Sequence, residues 1–171
     1  MDNHFALFQM PVSFELDSAQ LEAAFRELQG RVHPDRFAAA SDVEKRVAMQ
    51  WATRANEAYQ TLKNPIKRAA YLCELNGVDL GMESNTAMPP GFLLQQMTWR
   101  ESLDEARHAK DITVLEALER ELAVARSEQL SQLVSLFKLG NYEAAVAQVR
   151  QLMFLEKFGD DVGHVFEAIE A

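Results

Sequence analysis

The chain has 171 residues, of which 48% are hydrophobic and 25% charged, enough to bury a core in one domain or two small ones. Its net charge of −9 argues against nucleic acid as a partner, because phosphate binding calls for clustered Lys and Arg. No apolar run approaches the roughly 18 residues of a membrane span, and the N-terminus has neither a basic start nor an apolar signal core, so a cytoplasmic protein without a membrane partner is expected. The lone Cys73 can form neither an internal disulfide nor a thiolate cage, and reads as a small buried hydrophobe. Charge is unevenly spread: residues 1–76 hold 10 acids and 9 bases, whereas residues 77–171 hold 16 acids and 8 bases. That asymmetry fits two units with different partners.

A short helix is predicted around Phe5–Phe8, closed by Pro11. Asp17 then caps a longer one, with Gln20 reaching back and Leu21, Phe25, Leu28 and Val32 forming its apolar stripe. This helix must stop at His33-Pro34, because proline disfavours helical geometry in the residue before it and cannot donate within a helix. After a loop to about Ala40, Ser41 and Glu44 make a capping box for a second long helix, with Val47, Trp51, Ala55, Ala58 and Leu62 as its buried face. The two long helices should pair antiparallel. Asn64 as cap and Pro65 at the first helical position open a fourth helix, which ends at Asn76-Gly77.

Residues 77–89 lack periodicity and are rich in turn-formers, so a linker is expected there. Three more helices follow, at about 90–109, 111–138 with Asp111 as cap, and 142–169 after the Leu139-Gly140-Asn141 turn. They suggest a three-helix bundle with Ile112, Leu115, Leu118 and Leu122 on its second helix and Tyr142, Val146, Val149, Leu152 and Val165 on its third. The first bundle helix is apolar on two sides. At 100° per residue, Phe92, Trp99, Leu103 and Ala106 share one face, while Leu93, Leu94, Met97, Glu101 and Glu105 cluster on the other. Only one face can enter the bundle, so the other should be free for a protein partner, for the N-terminal unit or for a second copy of the chain.

His33-Pro34-Asp35 falls at the tip of the predicted hairpin, where a tripeptide is presented without disturbing the packing beneath it. A helix of about 16 residues, a loop carrying this motif and a helix of about 21 residues resemble the J-domain of the DnaJ family. The match sharpens with Phe5-Ala6-Leu7-Phe8, Pro11, Phe14-Glu15-Leu16-Asp17, Phe25-Arg26-Glu27-Leu28-Gln29 and His33-Pro34-Asp35-Arg36-Phe37. It continues through Asn56-Glu57-Ala58-Tyr59, Leu62, Pro65, Arg68-Ala69-Ala70-Tyr71-Leu72, Phe92-Leu93-Leu94, Arg100-Glu101 and Leu103-Asp104-Glu105. Across nearly the whole chain these segments resemble HscB, the J-type co-chaperone branch of iron–sulfur cluster assembly.

That resemblance implies an all-α protein: a J-domain at 1–76, with its antiparallel hairpin and short flanking helices, a linker at 77–89, and a three-helix scaffold-binding domain at 90–171. It implies that His33, Pro34 and Asp35, flanked by Arg26, Arg31 and Arg36, dock on an HscA-type ATPase and stimulate hydrolysis. It further implies that Leu93, Leu94, Met97, Glu101 and Glu105, with Phe154 on the last helix, hold an IscU-type scaffold protein. The chain departs from the family pattern at Glu22 and Glu27, which oppose the bases usual on the helix before the motif, at Val32, where an aromatic residue is usual, and at Thr98, where the scaffold face usually carries an acid. Weak self-association is left open. Neither a cofactor nor a metal is expected, since there is no Gly-rich phosphate loop and no His or Cys pair at ligand spacing. The alternatives are a J-domain adaptor serving another client of a DnaK-type chaperone, and a small Cys/His enzyme using Cys73 with His4, His33, His108 or His164.

Overall fold

The structure, a computed structural model, describes residues 3–81 and 88–171. The described residues are helical and unstranded, and the chain divides into two compact units, Met1–Leu72 and Cys73–Ala171. The first holds α1 (His4–Leu7), α2 (Ser18–Val32), a 3-10 turn (Pro34–Phe37), α3 (Asp42–Lys63) and most of α4 (Pro65–Leu75). The second holds α5 (Pro90–Ala109), α6 (Ile112–Lys138) and α7 (Tyr142–Glu170). The middle of the expected linker, 82–87, lies outside the described residues.

The N-cap acceptors read from the sequence are in place, but the return bonds expected from the Gln20 and Glu44 side chains do not form. The Asp17 carboxylate accepts from the Ala19 and Gln20 amides at 3.0 and 3.2 Å, and the Ser41 hydroxyl accepts from the Glu44 amide at 3.2 Å. The Asn64 side chain accepts from the Ile66 and Lys67 amides at 2.9 and 3.1 Å, and Asp111 accepts from Val114 at 3.3 Å. Each satisfies an amide that would otherwise lack an intrahelical acceptor. At Gly77, φ is 77°, and the Val78 and Gly77 amides donate to the Cys73 and Glu74 carbonyls, both at 3.0 Å. This is the paired-bond stop that a left-handed glycine permits, and it ends α4 where Asn76-Gly77 predicts.

Helices α2 and α3 fold back on one another, with Phe25 of α2 meeting Tyr59 of α3 at a ring separation of 4.1 Å. Leu21 is buried, while Phe25, Leu28 and Val32 are half-buried. On α3 the expected face needs correction. Ala48, Ala55, Ala58 and Leu62 are buried, but Val47 and Trp51 are 46% and 37% exposed. The three alanines place the contact seam to one side of Val47 and Trp51, and the Arg54 guanidinium covers the Trp51 ring at 5.0 Å. A second difference is the 3-10 turn at Pro34–Phe37, where the sequence predicts only a loop.

The base of the hairpin is tied to its flanking helices. Tyr71 of α4 accepts from the His4 amide at 2.9 Å and stacks on the His4 ring at 4.4 Å. Arg68 is 8% exposed, donates to the Leu62 carbonyl at 2.6 Å and lies 5.2 Å over the Phe14 ring. Burial pulls its guanidinium below its usual pKa.

In the second unit α5, α6 and α7 pack pairwise around Trp99, Leu103, Leu115, Leu118, Leu133, Leu152 and Phe158, all buried. Ile112, Leu122 and Tyr142 are half-buried rather than central. A Cβ at Gly159 would meet Leu122 Cδ2 at 3.1 Å, so the glycine lets α7 approach α6 closely. Trp99 stacks on Phe158 at 5.5 Å and its indole N–H donates to Glu121 at 2.9 Å. Trp99→Ala should therefore destabilise by about 3–5 kcal/mol in urea unfolding. Val124→Ala, at a residue 58% exposed, should stay within about 0.5 kcal/mol.

Candidate functional site: a motif tip and a two-faced helix

The first candidate surface follows from Pro34. Its ring forces His33 out of the helix, and His33 adopts φ −60° and ψ 137°. Pro34 then sits at the first position of the 3-10 turn, where its missing N–H costs nothing. His33 caps that turn: its Nδ1 accepts from the Asp35 amide at 3.2 Å. With Nδ1 as acceptor, the neutral ring carries its proton on Nε2. The Asp35 carboxylate lies 3.6 Å from Nδ1, and the two side chains are 53% and 92% exposed. The backbone is thus fixed locally while His33 and Asp35 stay available.

The three flanking arginines do not behave alike. Arg26 pairs with Glu22 at 2.6 Å and Arg31 pairs with Glu27, both one turn apart on α2. The two departures noted in the sequence are therefore the partners of two of the candidate docking bases. Reading each residue separately missed this; the signal was the four-residue spacing with Glu on the N-terminal side. Arg36 is exposed in the 3-10 turn.

The second candidate surface lies on α5. Phe92, Trp99, Leu103 and Ala106 turn inward, and Leu93, Leu94 and Met97 are 48%, 65% and 62% exposed. Glu101 and Glu105 continue the same outer side and are also exposed. Phe154 comes from α7, which packs on α5, and is 41% exposed. The inner face is anchored by the Trp99 contacts and by Arg100, which pairs with Asp161 at 2.9 Å and lies 5.4 Å over the Phe158 ring. Thr98 donates its hydroxyl to the Leu94 carbonyl at 3.0 Å, so it presents no charge to the outer side. An open concavity of about 360 Å³ between α5 and α6, lined by Gln95, Trp99, Arg120, Val124 and Glu128 among others, is a feature the sequence did not announce.

The residues of the Cys/His alternative are not poised for it. Cys73 is fully buried, and burial pushes its thiol up to about 11, the opposite of nucleophile activation. Among the described residues no group of three or more His, Cys, Asp or Glu could hold a metal ion. Among the same residues no helix is long and apolar enough to cross a membrane.

A helical hairpin presenting an exposed His-Pro-Asp tip, joined in sequence to a three-helix bundle, defines a J-domain co-chaperone. Residues 88–163 match the family model described as the HSCB C-terminal oligomerisation domain. The co-chaperone protein HscB homolog of Burkholderia multivorans is 54% identical over 169 residues, covering 99% of this chain and 97% of the relative. The chaperone HscB structure from Vibrio cholerae superposes with a TM-score of 0.88 at 37% identity, covering 98% of this chain and 99% of that one. The human co-chaperone HscB crystal structure gives 0.90 at 26% identity, covering 95% and 81%. The chain belongs to the HscB family of co-chaperones.

The Cys73 environment makes a test of the packing. A folded-state pKa of about 11 exceeds the roughly 8.5 of a free thiol, so the folded state holds the proton more tightly. The associated stability is fully present below about pH 8.5 and falls as pH rises toward 11. At neutral pH iodoacetamide should label native Cys73 very slowly and denatured Cys73 rapidly, as mass spectrometry would read.

Proposed function

We propose that this chain stimulates the ATPase of an HscA-type chaperone through His33, Pro34 and Asp35, and delivers to it an IscU-type scaffold protein in iron–sulfur cluster assembly. Residues 1–76 act as the activating unit, 77–89 as the linker and 90–171 as the scaffold-binding unit, all in the cytoplasm. The observation that carries the reading is α5, whose inner apolar face is consumed by the bundle while Leu93, Leu94 and Met97 stay exposed beside Glu101 and Glu105. An apolar strip bordered by carboxylates offers burial for affinity and charge for orientation, with Phe154 adding aromatic area from α7. Membership in a co-chaperone family supports the other half, together with the exposure of the His33 and Asp35 side chains at the hairpin tip.

The chemistry belongs to the partner. The motif acts by binding the hydrolysis-competent state of the ATPase better than its alternative, with Asp35 accepting from a base on the chaperone. The bundle acts by raising the concentration of scaffold near the chaperone's client site. No step requires a nucleophile, metal or cofactor on this chain.

Three substitutions test the two halves separately. His33→Gln keeps the circular dichroism spectrum, since an exposed tip residue contributes little packing, and abolishes ATPase stimulation. Replacement of Leu93, Leu94 and Met97 by Ala leaves the melting temperature near the parent's and removes scaffold binding in calorimetric titration. Core truncations of that size would cost about 2–5 kcal/mol each, so a collapse of the fold would show that the face is internal. Glu101→Lys weakens scaffold binding, and added salt weakens the parent complex in the same direction.

A further inference from the structure

We propose that the outer strip of α5, with Leu94 and Met97 at its centre and Glu101 at one end, also pairs two copies of this chain antiparallel, and that pairing and scaffold binding exclude one another. The exclusion rests on the reading of this strip as the scaffold face; the pairing does not. Two observations favour a second copy as an occupant. The first is the family description of residues 88–163 as an oligomerisation domain, which assigns that property to no face. Among the described residues of the second unit, Leu93, Leu94 and Met97 with Phe154 are the exposed large hydrophobics that stand together, whereas Leu75, Val124 and Leu139 lie singly on different elements. The strip is therefore the surface with apolar area to bury against its own like.

The second observation is that the strip is complementary to itself in charge. Helix α5 opens at Pro90, its first turn carries no acid, and among the described residues no side chain caps its N-terminus. The positive end of the helix dipole is thus left without a local counter-charge at one end of the strip, and Glu101 supplies an exposed carboxylate toward the other. The midpoint between Leu94 and Met97 is also the midpoint between Pro90 and Glu101, each about 8 Å away at a rise of about 1.5 Å per residue. A two-fold axis at that point lays two α5 helices antiparallel. Leu94 of each copy then meets Met97 of the other, and Glu101 of each meets the other's uncapped first turn.

Few side chains are buried in this way, well short of the area of a stable dimer, so the pairing is weak and grows with concentration. Its consequence is competitive. A scaffold protein seated on Leu93, Leu94 and Met97 needs the same side chains that the second copy covers, so it must separate the pair before it binds. The apparent affinity for scaffold therefore falls as the concentration of the chain rises.

Sedimentation equilibrium of the full chain alone, from micromolar to millimolar concentration, should show the average mass rising from one chain toward two. Replacement of Leu93, Leu94 and Met97 by Ala should hold it at one chain. Gly91→Asp places a carboxylate in the first turn of α5, at an exposed position where an added Cβ meets nothing within 4 Å. It should weaken the pairing several-fold, by repelling Glu101 of the other copy, while the circular dichroism spectrum stays unchanged. Saturating IscU-type scaffold should replace the pairs by complexes of one chain with one scaffold. A parent chain that stays single throughout overturns the proposal, as does pairing that survives the triple replacement or ignores Gly91→Asp. Pairs that bind scaffold without separating overturn the exclusion, and with it the reading of the strip as the scaffold face, while the pairing itself stands.

Discussion

The N-terminal unit depends on one covalent constraint, the pyrrolidine ring of Pro34. It fixes the backbone of the residue before it outside helical space, which ends α2 at Val32 and leaves His33 extended at ψ 137°. The chain can then reverse through a single 3-10 turn and return as α3, so that Phe25 and Tyr59 close the hairpin. The same event frees the His33 ring nitrogen to accept from the Asp35 amide, which sets the tautomer and braces the tip locally, beside the packing of the 3-10 turn on α2 and α3. Motif and turn are thus one object: the residues proposed to meet the ATPase are also the residues that make the hairpin possible.

The C-terminal unit solves a different problem. Its α5 has more apolar residues than a three-helix bundle can bury, and the structure consumes the Phe92, Trp99, Leu103 and Ala106 side while leaving Leu93, Leu94 and Met97 exposed. Trp99 and Arg100 explain why the helix does not roll. Both make directional contacts, with Glu121, Phe158 and Asp161, that only one rotation about the helix axis satisfies. An outer apolar strip held in place in this way retains exposed hydrophobic surface in the unbound protein, the arrangement expected of a docking face that needs little reorganisation to bind.

Much of this was legible in the sequence because caps and breakers act locally. Asp17, Ser41, Asn64 and Asp111 each do what their type and position predict, and the bundle helices begin and end within a residue or two of expectation. The two-faced character of α5 was equally legible, since periodicity alone separates its sides. What the sequence concealed was pairwise. Val47 and Trp51 fit the apolar spacing of α3 but fall outside the seam, because the expected Ala55, Ala58 and Leu62 are joined there by Ala48, whose small side chain gives no strong hydrophobic signal. The ion pairs of Arg26 and Arg31 were hidden by judging each charge alone. Phe154 could be tied to the candidate face only through the family resemblance, since no local pattern links a position on α7 to one on α5.

Taken together, the exposed tip and the exposed strip make sense as two attachment points carried by one covalent chain, and the value of such an adaptor lies in the link between them. The most direct test is scaffold-dependent ATPase stimulation by a mixture of two full-length variants, one with His33→Gln and the other with Leu93, Leu94 and Met97 all changed to Ala. The first retains the scaffold face and the second retains the motif. The account predicts that the mixture lacks the extra stimulation that scaffold protein gives with the intact chain. If the mixture matches the intact chain, the two surfaces need not be joined, and the delivery role proposed for this protein is contradicted.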